Sequence, residues 1–371
     1  MTTTAIDRKA EWRRKLSFTN LSVVYILIAL IIVFGIWKTD LFLTYDTFSG
    51  MLNQNAIQAL MALALIMALS CGVFDLSIGY VMSLTSMTTA YLVSPQHSNL
   101  VPVMAIAIAI AVAVLAGLVN AIIVVVFKID SFIGTLATGS IFFSAAVYLT
   151  DNVPISVGTS TIRDLGSWNF AQLSAPVFVV VVVTLALWYL MGHTPAGRAI
   201  YATGLGPEAA RLAGIRTARI RFLSLILSAT LAGLAGILAT AKFSQGSASV
   251  GSPYLIQAFA AVFLGATLFR GSLFNAPGTV IAVVMLGTIT VGLALAGVVQ
   301  QWVPYAFQGV ILVAALALGG LRRRVKAGPE TSESDPTTDA SDPGSPVQAP
   351  AASVLDPDRD PAVTSPHRPG Q

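Results

Sequence analysis

Charge is what this sequence has least of. Asp, Glu, Lys and Arg supply 10% of its 371 residues, where a soluble domain carries about 25% to keep its surface wetted. With 55% hydrophobic residues and a mean hydropathy of +0.78, the chain is no soluble enzyme, disordered polymer or nucleic-acid-binding protein, and its composition suits a bilayer. Cysteine is the second scarcity: Cys71 stands alone, which excludes an internal disulfide and a cysteine-based zinc site. Catalytic groups are the third. His97, His193 and His367 fall in a loop, at a span end and in the tail, and there is no HExxH, no GxSxG and no pair of membrane carboxylates. A phosphate loop of the Gly-Lys-Ser/Thr type is missing as well, since of six lysines only Lys38 precedes a Ser or Thr, and Trp37 stands before it. The expectation is a non-catalytic membrane protein with no cofactor or metal of its own.

What is abundant is charge-free length. A helix needs about 20 apolar residues to cross about 30 Å of hydrocarbon, and the intervals between charges, divided at turn signals such as 94–99 and 299–304, predict ten spans. They fall at roughly 18–37, 50–70, 75–93, 101–126, 131–149, 175–191, 220–241, 255–269, 277–298 and 303–320. An even count puts both ends on one side. Basic residues accumulate on the cytoplasmic side, and with both termini there 16 of the 19 Lys and Arg before residue 327 are cytoplasmic, leaving Lys38, Arg163 and Lys242 outside. The excess of base is therefore topology rather than a nucleic-acid patch. The first apolar stretch ends Phe34-Gly35-Ile36-Trp37-Lys38 with no small-residue cleavage site, so it reads as a retained span. The expected fold is an all-α polytopic membrane protein, divided into a cytoplasmic segment (1–17), a transmembrane domain (18–321) and a basic stop followed by an acidic, disordered cytoplasmic tail (322–371). From residue 327 that tail holds nine prolines among Ser, Thr, Asp and Ala and cannot bury a core.

Two segments interrupt the apolar pattern. Asp75 is the one charge between 47 and 127, and an acid at mid-bilayer costs about 2.5–3.5 kcal/mol unless a cavity, partner or interface receives it. Flanked by Gly72 and Gly79 and followed by Ser77, it fits a helix N-cap, and also a helix broken inside the membrane beside a polar path. The second segment is HTPAGRAIYATGLGPEAARLAGIRTARIR, residues 193–221. Pro207 with Glu208 opens a short helix and Gly214 stops it, so a compact docking element is expected there rather than a mere linker.

Three ordered stretches carry a family resemblance: VFDLSIG (73–79), GRAIYATGLGPEAARLAGI (197–215) and FAAVFLGATLFRGSLFNAPGT (259–279), with Asn120 and FIGTL (132–136) between them. Over about residues 45–320 the chain resembles permease subunits of ribose-type and related monosaccharide ABC importers, departing from their pattern at Cys71, Gly206 and Gln257. The resemblance implies that the chain works with a second permease subunit, identical or similar, with a periplasmic or extracellular solute-binding protein, and with ATPase subunits that hold Mg-ATP. It also implies that Arg198, Pro207, Glu208, Ala209, Ala210, Arg211, Leu212 and Gly214 form a cytoplasmic coupling helix in an ATPase groove. Candidates for the translocation path in the plasma or inner membrane are Asp75, Ser77, Asn53, Gln54, Asn55, Gln58, Asn120, Gln257, Asn275 and Gln308, groups that also serve as interhelical glue. An ion-coupled secondary transporter using Asp75 is the alternative, and a membrane-bound lipid transferase is a third for which no cluster of acids or histidines is present.

Overall fold

The computed structural model describes residues 18–158, 161–268 and 273–297, together with 300, 302, 303, 306, 309, 310 and 313, and gives only the backbone at 18–22, 39 and 161. The expected N-terminal segment, most of the tenth span with Gln308, and the C-terminal tail lie outside the described residues.

The architecture is helical. In chain order the helices are α1 (Phe18–Trp37), α2 (Thr39–Phe42), α3 (Tyr45–Ser70), α4 (Ile78–Val93), α5 (Pro102–Ala121), α6 (Ser131–Tyr148), α7 (Thr161–Ser167), α8 (Ala175–His193), α9 (Pro195–Leu205), α10 (Pro207–Leu212), α11 (Thr217–Phe243), α12 (Ser252–Ala266) and α13 (Ala276–Leu295). Among the described residues α3, α5 with its continuation, α6, α8, α11 and α13 are long and apolar enough to cross a bilayer, while α4, α12 and the apolar part of α1 are shorter. Local chemistry sets many ends. Thr44 accepts from the Thr47 amide to start α3, and Asp130 accepts from Phe132 and Ile133 to start α6, each filling an orphan amide of a first turn. α5 runs into a π-helical turn at Ile122–Val126.

α3 forms the centre. From Ala56 to Ala68 its side chains are 5% exposed or less, as expected of a helix apolar all round. It packs with α11, α12 and α13, and small residues bring α4 and α11 together: a Cβ on Gly236 would fall 2.2 Å from Thr85 Oγ1 and 2.3 Å from the Met82 carbonyl. Without a hydrophobic drive between helices in lipid, such close packing is the main source of cohesion. α1, α5, α6 and α8 form the rim, exposing Ile32, Ile36, Leu115, Ile141, Val182 and Leu185, a surface far too apolar for water and suited to acyl chains.

The expectation of a purely helical chain needs one amendment. Ile155–Ser156 (β1) pairs antiparallel with Gln245–Gly246 (β4), and Asn169–Phe170 (β2) with Leu173–Ser174 (β3). The second pair closes through Ala171 and Gln172 at φ 49° and 60°. The first ties the α6–α7 connection to the end of α11 and is invisible in hydropathy.

Candidate functional site

Between α3 and α4 the chain is non-helical for several residues. Gly72 makes the turn at φ +72°, a conformation that costs glycine little. The freed amides are met by α6: Phe74 N–H donates to Ser131 Oγ at 3.1 Å and Leu76 N–H to Thr135 Oγ1 at 3.0 Å. Hydroxyls four residues apart on one helical face thus satisfy a broken backbone where water is scarce.

Asp75 sits at the middle of this break, wholly buried. Its Oδ1 accepts from Ser77 N–H at 3.1 Å and Ser77 Oγ at 2.7 Å, and its Oδ2 accepts from Ser228 Oγ at 2.9 Å. Ser77 Oγ in turn accepts from Asn120 Nδ2 at 2.6 Å, and Asn120 Oδ1 accepts from Thr138 Oγ1 at 2.5 Å. The relay Ser228–Asp75–Ser77–Asn120–Thr138 therefore joins α11, the break, α5 and α6. Ser228 lies about 17 Å along α11 from Thr217, a helix of about 40 Å, so this polar lock is interior. The N-cap expectation is corrected: α4 begins at Ile78 with Ser77 as its cap residue, and Asp75 instead folds onto Ser77 two residues on, a compact turn. The chain is interrupted between α3 and α4, with the polar groups of Asp75 and Ser77 paired and buried.

A second break follows α11. Ser244 turns at φ 55°, β4 pairs with β1, and the chain then runs back along α4: a Cβ on Gly246 would meet Ala90 Cβ at 2.5 Å, and Gly251 N–H donates to Ser83 Oγ at 3.0 Å. Gly251 packs against Gly79, where a Cβ would come 1.8 Å from the Gly79 carbonyl. α12 thus begins beside the first turn of α4, and its 15 residues rise about 22 Å, short of a full crossing.

The remaining path candidates divide. Asn53 is engaged, accepting from Ser174 N–H (2.8 Å) and Oγ (2.9 Å) and donating to the Gln172 carbonyl (2.7 Å), which fastens α3 to the β2–β3 hairpin. Asn55 donates to the Met51 carbonyl at 2.8 Å. Asn275 caps α13 by accepting from Gly278 N–H at 2.8 Å and donates to the Leu268 carbonyl at 2.9 Å, stapling α12 to α13. Gln257 is half-buried on α12 and Gln54 is exposed on α3. Gln58 is 5% exposed, and its Nε2 has no hydrogen-bond partner among the described residues.

The short helix expected after Pro207 is present. Pro207 opens α10, Glu208 is in its first turn and Arg211 in its last. Gly214, at φ +83°, ends it: Gly214 N–H donates to the Arg211 carbonyl and Ile215 N–H to the Ala210 carbonyl, both at 3.0 Å, the glycine-terminated helix end with paired 5→2 and 6→1 bonds. Arg198 and Ala209 are exposed, and Glu208 and Arg211 form an exposed pair at 2.6 Å. Ala210 is buried at 5% and seats the helix, whereas Leu212 and Leu205 are 86% and 73% exposed. Leu205 escaped the sequence reading; an apolar residue one position before the Gly206-Pro207 corner was the available signal. α9 holds this element to the bundle, with Tyr201 donating to the Phe274 carbonyl at 2.6 Å and Gly204 lying on the Ser70 carbonyl.

A bundle with an apolar rim, an interior polar relay and a short exposed helix suits a membrane transport subunit. The chain belongs to the family described as branched-chain amino acid transport system / permease component, whose pattern matches residues 47–316. It is 32% identical over 296 residues to the ribose import permease protein of Escherichia coli (strain K12), an alignment covering 78% of this chain and 91% of that protein. The L-arabinose transport system permease protein of the same strain is 27% identical over 285 residues, 77% of this chain and 86% of its own length. The galactose/methyl galactoside import permease protein of Salmonella typhimurium (strain LT2) is 27% identical over 319 residues, covering 81% and 94%. No solved structure matches the chain. It is a non-catalytic, multi-pass membrane permease subunit.

Proposed function

We propose that this chain is the membrane subunit of an ATP-binding-cassette importer that passes a ribose-like or other monosaccharide across the plasma or inner membrane. Separate ATPase subunits hold and hydrolyse Mg-ATP, a solute-binding protein delivers the sugar from outside, and a second permease subunit, identical or similar, completes the path. The names and coverage of the sugar permeases above support the solute class. In this reading the bundle has ten spans over residues 18–321, the 1–17 segment and the 322–371 tail are cytoplasmic, and α9–α10 face the cytoplasm.

The observation that carries the mechanism is the seating of α9. Its Gly204 touches the last residue of α3 at the broken segment, while α10 offers Leu212 and Ala209, with Leu205 beside them, to an ATPase groove. Arg198, Glu208 and Arg211 rim that patch. Closure of the nucleotide domains then pushes a rigid element against the α3–α4 break, and the spans tilt about it. Asp75, Ser77 and Asn120 act as the fixed point of the tilt, and Gln58 and Gln257 are the groups that meet solute. Asn53, Asn55 and Asn275 hold the helices that carry them. An ion-coupled carrier is the weaker reading, because both Asp75 oxygens already accept hydrogen bonds from Ser77 and Ser228. The test is uptake of labelled D-ribose, L-arabinose and D-galactose into proteoliposomes holding this chain, its ATPase and its binding protein. Uptake that needs ATP and the binding protein is expected; uptake driven by an ion gradient without ATP would overturn the reading.

A further inference from the structure

Residues 244–251 run non-helically at a depth where bare backbone cannot meet lipid. The segment starts at the left-handed Ser244 and ends where α12 begins at Ser252. Along α4 it descends from Ala90 and the Ser86 carbonyl, which a Cβ on Gly246 would meet at 2.5 and 2.8 Å, to Gly79 and Ser83, which receive Gly251. α4 ends at Val93, so Gly79 lies about 21 Å along the helix from the 94–99 loop, well inside a hydrocarbon layer of about 30 Å. Exposure along the segment alternates as it does in an extended chain. Gly246 and Ala248 are buried, the latter in the main apolar core, whereas Gln245 and Ser249 are exposed and Ser247 between them is half-buried. Irregular backbone persists at such a depth only where protein seals it or where it lines a water-filled cavity. The Gly246 and Ala248 side meets the first condition, and the polar side opposite requires the second.

The chemistry of that side suits a neutral solute. No residue from 243 to 269 is charged, so the segment offers hydroxyls and an amide but no ionic group. Ser247 Oγ and Ser249 Oγ are 3.1 Å apart, joined by one proton, and Ser249 N–H donates to Ser247 Oγ at 3.3 Å. Each hydroxyl has one proton and two lone pairs, so whichever serine donates, the second proton and a lone pair of Ser249 are left for a molecule outside. Such bonds are weak and exchangeable, as a group that must release its solute requires. We propose that Ser247 and Ser249 line the half of a water-filled solute path that lies toward the 94–99 loop, and that they hydrogen-bond a neutral polyhydroxylated solute as it passes. The solute class rests on the importer reading; the water-filled face rests on the depth and polarity of the segment.

The test uses the full complex in nanodiscs, with labelling of this chain read by mass. Ser249→Cys and two rim controls, Leu115→Cys and Val182→Cys, each in a Cys71→Ala background, are treated with a charged, membrane-impermeant methanethiosulfonate, with and without the binding protein. A thiol reacts as its thiolate, which forms in water and not in hydrocarbon, so Ser249→Cys should react about tenfold faster than either control in at least one of the two states. A rate no faster than the controls in both states overturns the path face. Uptake supplies the second measurement, with labelled D-ribose, L-arabinose and D-galactose as probes. Ser247→Ala combined with Ser249→Ala should lower sugar uptake per ATP hydrolysed about fivefold, the worth of one hydrogen bond, while Ser249→Thr, which keeps the hydroxyl, should retain most of it. Uptake per ATP unchanged in the double variant, or lost equally in Ser249→Thr, overturns the solute contact. ATP-dependent sugar uptake with Ser249→Cys shielded from water removes this inference and leaves the importer reading standing. A water-reached Ser249→Cys in a complex that moves sugar without ATP does the reverse.

Discussion

Gly204 of α9 rests on the carbonyl oxygen of Ser70, so that a Cβ on the glycine would fall 2.2 Å from that oxygen. Real Cβ atoms do not approach so closely, and the neighbouring atom is backbone that cannot swing aside. At this point α9 and the end of the central helix approach so closely that only glycine fits. Gly206, two residues on, is in open surroundings, with Ala209 Cβ 3.8 Å from the corresponding point.

This contrast yields the first prediction. Gly204→Ala must separate α9 from α3 by an ångström or more, and should abolish binding-protein-stimulated ATP hydrolysis while the complex still forms. Gly206→Ala should leave stimulation near wild type. Equal effects of the two variants in a reconstituted hydrolysis assay would sever the link between this contact and coupling.

The second concerns the polar lock. Asp75→Ala strands the Ser228 and Ser77 hydroxyls in the interior and should lower bundle stability by about 1–3 kcal/mol for the unpaired groups. Asp75→Asn keeps an acceptor for Ser77 and a donor that Ser228 Oγ can accept, and should cost less. Unfolding midpoints in detergent measure both. If Asp75→Asn abolishes transport at unchanged stability, the carboxylate serves the solute or a proton and not the lock.

The legible parts of the molecule were the local ones. Charge-free intervals located the helices because burial in lipid demands length, and Pro207 and Gly214 bounded α10 because both act on their own backbone. The Asp75 break was flagged by a single charge, but its partners were not, since Ser228 and Thr138 come from helices remote in sequence and read there as ordinary hydroxyls. The return of residues 244–251 along α4 was invisible for the same reason: it depends on Gly251 meeting Gly79 and on β4 meeting β1. That Ala210 turns inward was not legible, because a six-residue helix shows too little periodicity to say which side is inward.

A third prediction separates apolar fit from charge at the docking element. Glu208→Gln removes an exposed ion pair of the kind worth about 0.2–1 kcal/mol and should change ATPase association by less than about fivefold. Leu212→Asp replaces an apolar anchor by a charge and should weaken association by tenfold or more, about 1.4 kcal/mol. Surface-plasmon or pull-down titration against the ATPase decides it, and the opposite ranking would mean that charge does the docking.

The last prediction turns on the difference between Asn53 and Gln58, five residues apart on α3. Asn53 meets the β2–β3 hairpin with both its donor and its acceptor, so Asn53→Ala should destabilise the protein and reduce transport only in proportion to folded material. Gln58 is buried with its amide nitrogen unpaired. An unpaired buried amide carries a desolvation cost of about 1–3 kcal/mol with nothing returned, and packing alone would be better served by an apolar side chain of like size. Gln58→Met should therefore raise the unfolding midpoint and at the same time depress uptake per folded complex, because the group is retained for something other than stability. A variant that is more stable and fully active would show that Gln58 has no part in translocation, and the path would then have to run on the half-buried face of α12 that carries Gln257.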